Sequence, residues 1–190
     1  MDSTPPRTRI LSDLLDRNRR RFPDSVCLVD PPNRARIADG PARRLTWTEL
    51  GQRVDRMALT LADQGLARGD IVIIAAPTLH ETLVAQLACV SLGLICVGIP
   101  TQYREAEVSD LIHRLSPKAL IGHARLGTHA NAQMLATLAQ AEVTPPVLLA
   151  HGADLPSGVV ALDALTATPL DLAAAQRLAA SLATNRPGAD

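Results

Sequence analysis

Between Gly69 and Glu107 the apolar residues change their period twice, and this change restricts what the chain can fold into more than any other feature. Ile71-Val72-Ile73-Ile74-Ala75 is short, rich in β-branched residues and bounded by Gly69-Asp70 and Pro77, the pattern of a strand buried on both faces. From His80 the positions Leu83, Val84, Leu87, Ala88 and Leu92 fall on one helical stripe, with Thr78 and Glu81 spaced as a capping box at its start. Ile95-Cys96-Val97-Gly98-Ile99 returns to strand, and Pro100 closes it. A strand–helix–strand unit of ~30 residues suits a right-handed parallel crossover. The expected fold is therefore α/β, a mostly parallel β-sheet with helices on both faces.

The flanks continue the alternation. Ile10, Leu11, Leu14 and Leu15 form an apolar stripe with Arg17, Arg19, Arg20 and Arg21 at its far end, and Pro23 stops it, so a helix is expected whose arginines complement the dipole. Val26-Cys27-Leu28-Val29 reads as a short strand ended by Asp30-Pro31-Pro32-Asn33, and the stretch to Ala42 is polar and irregular. Thr46 and Glu49 have capping-box spacing ahead of Leu50, Val54, Met57, Ala58 and Leu61, a helical face that ends near Gly65. After the central unit the pattern predicts a helix over 105–115, a strand over 118–121, a helix over 132–139 and a strand over 147–149. Beyond Ala150 it weakens to a strand at 159–162 and an Ala-rich helix over 170–182. The expected organisation is a flexible tail over 1–8, one α/β unit over 9–184 with its clearest pattern in 9–150, and a polar linker over 185–190.

Charge and cysteine usage remove several function classes. Lys+Arg and Asp+Glu are equal at 19 each, so net charge gives no attraction to nucleic acid or an anionic membrane. Phe22, Trp47 and Tyr103 are the only aromatics, too few for a base-stacking platform. Cys27, Cys89 and Cys96 sit inside apolar runs without CxxC spacing and read as small core residues of a reducing compartment. Neither a signal peptide nor an apolar run of ~18 residues is visible, and a cytoplasmic location is expected.

No catalytic motif stands out. Gly93 and Gly98 have the spacing of a phosphate loop, but Ile99 and Pro100 occupy the places of its lysine and hydroxyl. Neither GxGxxG after a strand nor GxSxG is present. His80, His113, His123, His129 and His151 form no HxxxH or HExxH pair, so no metal ligand is assigned. Glu105 and Glu107 sit at a helix start, where the dipole explains them.

An ordered set of short segments says more. Leu45-Thr46-Trp47-Thr48-Glu49-Leu50, then Gly69-Asp70-Ile71-Val72, Pro77, Ser91-Leu92-Gly93 and Val97-Gly98-Ile99-Pro100 resemble the amino-terminal part of the AMP-forming acyl-CoA synthetases, or adenylate-forming ligases. The first segment fits that family's L-[TS]-[YW]-x-E-L motif, Glu105 or Glu107 fills its later acidic place, and Lys118-Ala119-Leu120-Ile121 resembles its next strand. The likeness runs from Ile10 to Gly122. It departs at Thr78, where Asn is common, at Leu94, where Ala is common, and at Thr101-Gln102-Tyr103, which replaces an Asn-Pro turn.

The resemblance implies that a complete enzyme uses ATP, Mg and coenzyme A to activate a carboxylic acid as acyl-AMP and pass it to a thiol. The family's phosphate loop, adenylate-contacting motifs and carboxy-terminal lysine lie beyond this region, so the chain is expected to be an amino-terminal fragment, inactive alone, binding no cofactor itself and approaching the phosphate loop at 185–190. Its expected partners are the remaining nucleotide-binding and carboxy-terminal portions, with no nucleic acid and no membrane, and its uncovered apolar surface would favour self-association. Gln102 and Tyr103, after a strand's carboxyl end, are the candidate substrate-binding residues. The alternatives are a standalone interaction module derived from the family and an unrelated Rossmann-like small-molecule binder.

Overall fold

A computed structural model describes residues 11–185. Five strands, β3 (Ile71–Ala75), β4 (Ile95–Gly98), β5 (Ala119–His123), β6 (Val147–His151) and β7 (Val160–Ala161), form one sheet in the order β4-β3-β5-β6-β7. Every pairing in it is parallel, for example Ile73 with Val97 on one side and with Leu120 on the other. The α/β expectation holds, and the alternation of side chains explains both layers. Val72, Ile74, Ala119, Ile121 and Leu149 point to one face, where α2 (Trp47–Asp63) and α3 (His80–Ser91) cover them. Ile73, Ala75, Leu120 and Leu148 point to the other, under α4 (Glu105–Leu115) and α5 (Asn131–Gln140). A strand buried on both sides needs apolar residues throughout, and each fully buried Ile or Leu contributes ~1.5–3 kcal/mol.

Helices α1 (Leu11–Arg21), α6 (Leu162–Ala167) and α7 (Leu172–Asn185) lie on the α2/α3 side. Arg19 of the basic cluster pairs with Asp55 of α2 at 2.7 Å, so that arginine braces a helix contact. Cys89 is in the core, Cys27 and Cys96 are half-buried against it, and all three are free thiols. No helix among the described residues is long and apolar enough to cross a membrane. Ile10 and residues 186–190, which carry part of the expected first stripe and of the linker, fall outside the described residues, as does the expected tail.

Four details differ from the sequence reading. The stretch Arg44–Thr46 is a strand, β2, pairing antiparallel with β1 (Val26–Val29) in a separate two-stranded sheet. The short helix α6 was hidden because six residues cannot display a helical period. Strand β4 is the outer strand, so the turn that carries Gln102 and Tyr103 leaves an edge of the sheet. The box expected from Thr78 and Glu81 is absent: Leu79 occupies the N-cap of α3 without a side-chain hydrogen bond. Asp30, fifty positions away, replaces it, its Oδ1 accepting the His80 backbone N–H at 2.9 Å.

The chain turns back on itself across β3. It leaves β3 through α3 on one face to reach β4, then crosses through α4 on the other face to β5. Loops leaving the carboxyl ends of β3 and β5 therefore diverge, opening the crevice in which sheets of this order gather ligands.

Candidate functional site at the carboxyl edge

The irregular stretch after β1 folds over that crevice, and Arg34, in a single 3-10 turn (Arg34–Arg36), is its anchor. Only 3% exposed, its guanidinium finds a partner for every N–H it owns. Nε donates to Gly40 O at 3.1 Å and Nη2 to Asp39 O at 2.7 Å and Glu81 Oε1 at 2.5 Å. Nη1 donates to Asp30 Oδ2 at 3.1 Å and Glu81 Oε2 at 2.8 Å. His80 Nδ1 lies 2.8 Å from Asp30 Oδ2 and 3.0 Å from Glu81 Oε2. Both are acceptors, so this nitrogen carries the proton.

The charges are set by these contacts. Burial pushes Asp30 up, but the His80 N–H groups and the Arg43 backbone N–H outweigh it and hold the carboxyl below its usual range. Glu81 is likewise raised by burial and brought below its usual range by the Arg34 bonds. Burial pushes His80 down against the opposing pull of Glu81 and Asp30. Asp30, His80 and Glu81 have the donor spacing of a metal site, with ligand atoms within 4.8 Å of one another. The space between them belongs to Arg34, whose Nη1 touches both carboxylates, so the cluster is an arginine-filled clamp. It pins the loop of residues 30–40 to the start of α3.

The clamp forms one wall of a cleft of about 140 Å³ that also takes in Asp39, Arg43, Arg53, His151 and Asp163. Asp39 is paired with Arg125 at 2.7 Å. Asp163 accepts from His151 Nδ1 at 2.7 Å and from the Gly152 N–H at 2.9 Å, and the His151 bond chiefly holds its carboxyl at about 2. Gly152, at φ +108°, permits this: a Cβ there would lie 2.8 Å from Ala124 Cβ and 3.0 Å from Asp39 Oδ2. His123, in register with His151, is pushed down to about 4 by burial and by that neighbour. Asn131 ties the crevice shut below, its Nδ2 donating to Ala75 O at 3.2 Å and His123 O at 3.1 Å.

Gln102 and Tyr103 are exposed in the turn after β4, and neither lines the cleft. Glu107 accepts the Arg104 N–H at 3.0 Å, a helix-start role as expected for it. Lys118 precedes β5 and lies at the amino edge, remote from the cleft. Sequence reasoning missed Asp30, Arg34 and the pairing of His123 with His151. The one available signal was positional: Gly122-His123-Ala124 and Ala150-His151-Gly152 each put a histidine two residues past an expected strand.

A family model described as "AMP-binding enzyme" matches residues 15–182. The chain belongs to the AMP-binding enzyme family. A 2-hydroxy-7-methoxy-5-methyl-1-naphthoate--CoA ligase of Streptomyces carzinostaticus is 30% identical over 168 residues, 88% of this chain and 28% of that protein. An acetyl-coenzyme A synthetase of Rhodobacter capsulatus is 47% identical over 55 residues, 29% of this chain and 8% of that protein. Among solved structures, acetoacetyl-CoA synthetase from Streptomyces lividans superposes with a TM-score of 0.73 at 22% identity, over 85% of this chain and 25% of that one. A benzoate CoA ligase from Burkholderia xenovorans LB400 gives 0.66 at 16% identity, over 85% and 29%. These two establish the shared fold. This AMP-binding family chain thus spans between about a tenth and three-tenths of the length of such relatives, and its clamp and cleft lie within the matched region.

Proposed function

We propose that this chain is the amino-terminal scaffold of an ATP-dependent carboxylic acid–CoA ligase. The observation that carries this reading is the match of 88% of the chain to 28% of a CoA ligase at 30% identity. In the complete enzyme a substrate carboxylate oxygen attacks the α-phosphorus of ATP, the bond to pyrophosphate breaks, and acyl-AMP forms. A thiol sulfur, that of coenzyme A, then attacks the acyl carbonyl and AMP leaves. Both steps need donors and cations aimed at developing negative charge, with Mg supplying charge on the phosphates.

Residues 9–184 act in this reading as one α/β unit, and 185–190 lead towards a phosphate loop. The unit contributes the sheet against which the nucleotide-binding portion packs, and Arg34 fixes the shape of its carboxyl edge. The chain alone is inactive and binds no Mg·ATP, because the arginines at that edge are outside any glycine-rich turn and Lys118 is at the opposite edge. Gln102 and Tyr103 approach the acyl or thiol site in the complete enzyme. Exposed Leu172, Ile95 and Val29 suit contacts with the remaining portions, or self-association when these are absent.

The test is to express the longest reading frame that contains these codons and to measure acid-dependent exchange of labelled pyrophosphate into ATP across aliphatic and aromatic acids. Exchange with at least one acid is expected. A frame ending at codon 190, or a longer product without exchange for any acid, would overturn the ligase reading.

A further inference from the structure

The lining of the cleft balances three arginines against three carboxylates, yet two of those arginines make no direct ion pair. Asp30 and Glu81 are taken by Arg34, Asp39 by Arg125, and Asp163 by His151. Arg43 and Arg53 also line the cleft, and among the described residues neither guanidinium is in an ion pair or a side-chain hydrogen bond. They come from different elements, Arg43 from the loop before β2 and Arg53 from α2, so the fold brings two like charges to one place. Arg53 registers this, being held below its usual value by burial first and by Arg43 second, against the opposing pull of Glu49, Glu81 and Asp163. A second observation points to the same space. His151, 3% exposed, lines the cleft at the end of β6, and its Nε2 is buried without a partner while Nδ1 is engaged by Asp163.

We propose that Arg43, Arg53 and His151 form a binding subsite for a single phosphoryl group, either inorganic phosphate or the terminal phosphate of a small monoester. Two guanidinium forks and an imidazole nitrogen from separate elements suit the oxygens of a tetrahedral dianion, whereas a carboxylate has only two oxygens to share among them. Nε2 can accept from a phosphate hydroxyl or, when protonated, donate to its oxygen. At about 140 Å³ the cleft is well below the ~300 Å³ at which sites for larger ligands begin, so it has room for a phosphate but not to enclose a nucleotide. The subsite is independent of the ligase reading, because it needs only this chain.

Titration of the 190-residue chain with inorganic phosphate and with methyl phosphate, followed by phosphorus NMR at fixed ionic strength in chloride, tests the assignment. Saturable binding on the order of millimolar is expected for both probes, weakened about tenfold by Arg53→Gln and by Arg43→Gln and lost in the double variant. Neither arginine is in a pair, so both variants should keep the wild-type melting temperature in chloride. Arg114→Gln, in the last turn of α4 on the opposite face of the sheet, should leave binding unchanged. Binding of methyl phosphate but not of phosphate would assign the monoester, and the reverse the free ion. Acetate binding as tightly as either probe, or variants that bind phosphate like the parent chain, would overturn the proposal.

Discussion

Glu49 and Glu81 are both acids in the first turn of a helix, both follow a threonine by three residues, and their surroundings could hardly differ more. At α2 the box is complete: the Glu49 N–H donates to Thr46 Oγ1 at 3.2 Å and the Thr46 N–H to Glu49 Oε2 at 2.8 Å, all at the surface. At α3 the threonine is exposed and idle, Glu81 is buried, and the helix start is closed by Asp30 and locked by Arg34. The first arrangement exchanges water for equivalent bonds and is worth little. The second removes three charges from water and holds only while each is matched, so losing one partner is costly although the intact cluster adds modest net stability.

That contrast sets the size of each expected effect. Arg34→Ala should be the most damaging substitution, costing ~3–5 kcal/mol against a total of ~5–15 for a domain. Denaturant unfolding would show it, and Arg34→Lys should recover only part, since three donors replace five. In a double-mutant cycle, Arg34→Ala combined with Glu81→Gln should cost clearly less than the two singles together. A loss under about 1 kcal/mol for Arg34→Ala would erase the distinction between clamp and cap.

Acid sharpens the comparison by a different route. His123 has a folded value of about 4 against about 6.5 unfolded, so between these pH values the unfolded chain takes a proton that the folded chain refuses. Stability should therefore be full above pH ~6.5 and fall by up to about 3 kcal/mol as pH drops to ~4. Asp163, held at about 2, adds a further loss below pH ~4. Melting temperature against pH in His123→Leu should lack the upper part of this slope, whereas Thr46→Ala should keep it.

The cap itself comes next. Thr46→Ala should cost ~1 kcal/mol in chemical denaturation, and an unchanged midpoint would remove the cap from the α2 start. The smallest effects belong to the turn after β4: Gln102→Ala and Tyr103→Ala should alter stability by no more than ~0.5 kcal/mol. In a complete ligase the same pair should change the kinetic constants for an acid or a thiol. If every constant stayed the same, these residues would have no place at the site.

Much of the fold was legible because its determinants are local. The β-branched run at Ile71–Ala75, the apolar stripe of α2 and the Thr46–Glu49 box each lie within a single element or its cap. The carboxyl edge was not, since its parts meet only through the sheet. Arg34 sits in a stretch whose polar composition reads as solvated loop, and nothing near it in sequence announces Glu81 or His80. Thr78 and Glu81 show the converse error: correct spacing produced no box because a buried arginine competed for the glutamate. His123 and His151 could be found only by aligning strand ends, which presupposes the parallel register.

The most direct test of the scaffold reading uses the pure 190-residue chain, with Mg·ATP calorimetry beside acid-dependent pyrophosphate exchange. Every cleft carboxylate is already paired, the cleft is too small to enclose a nucleotide, and Lys118 lies at the amino edge. The expected result is neither micromolar Mg·ATP binding nor exchange with any acid, even where millimolar phosphate binds. Micromolar binding or measurable exchange by this chain would contradict the scaffold role and place an adenylating site within residues 1–190.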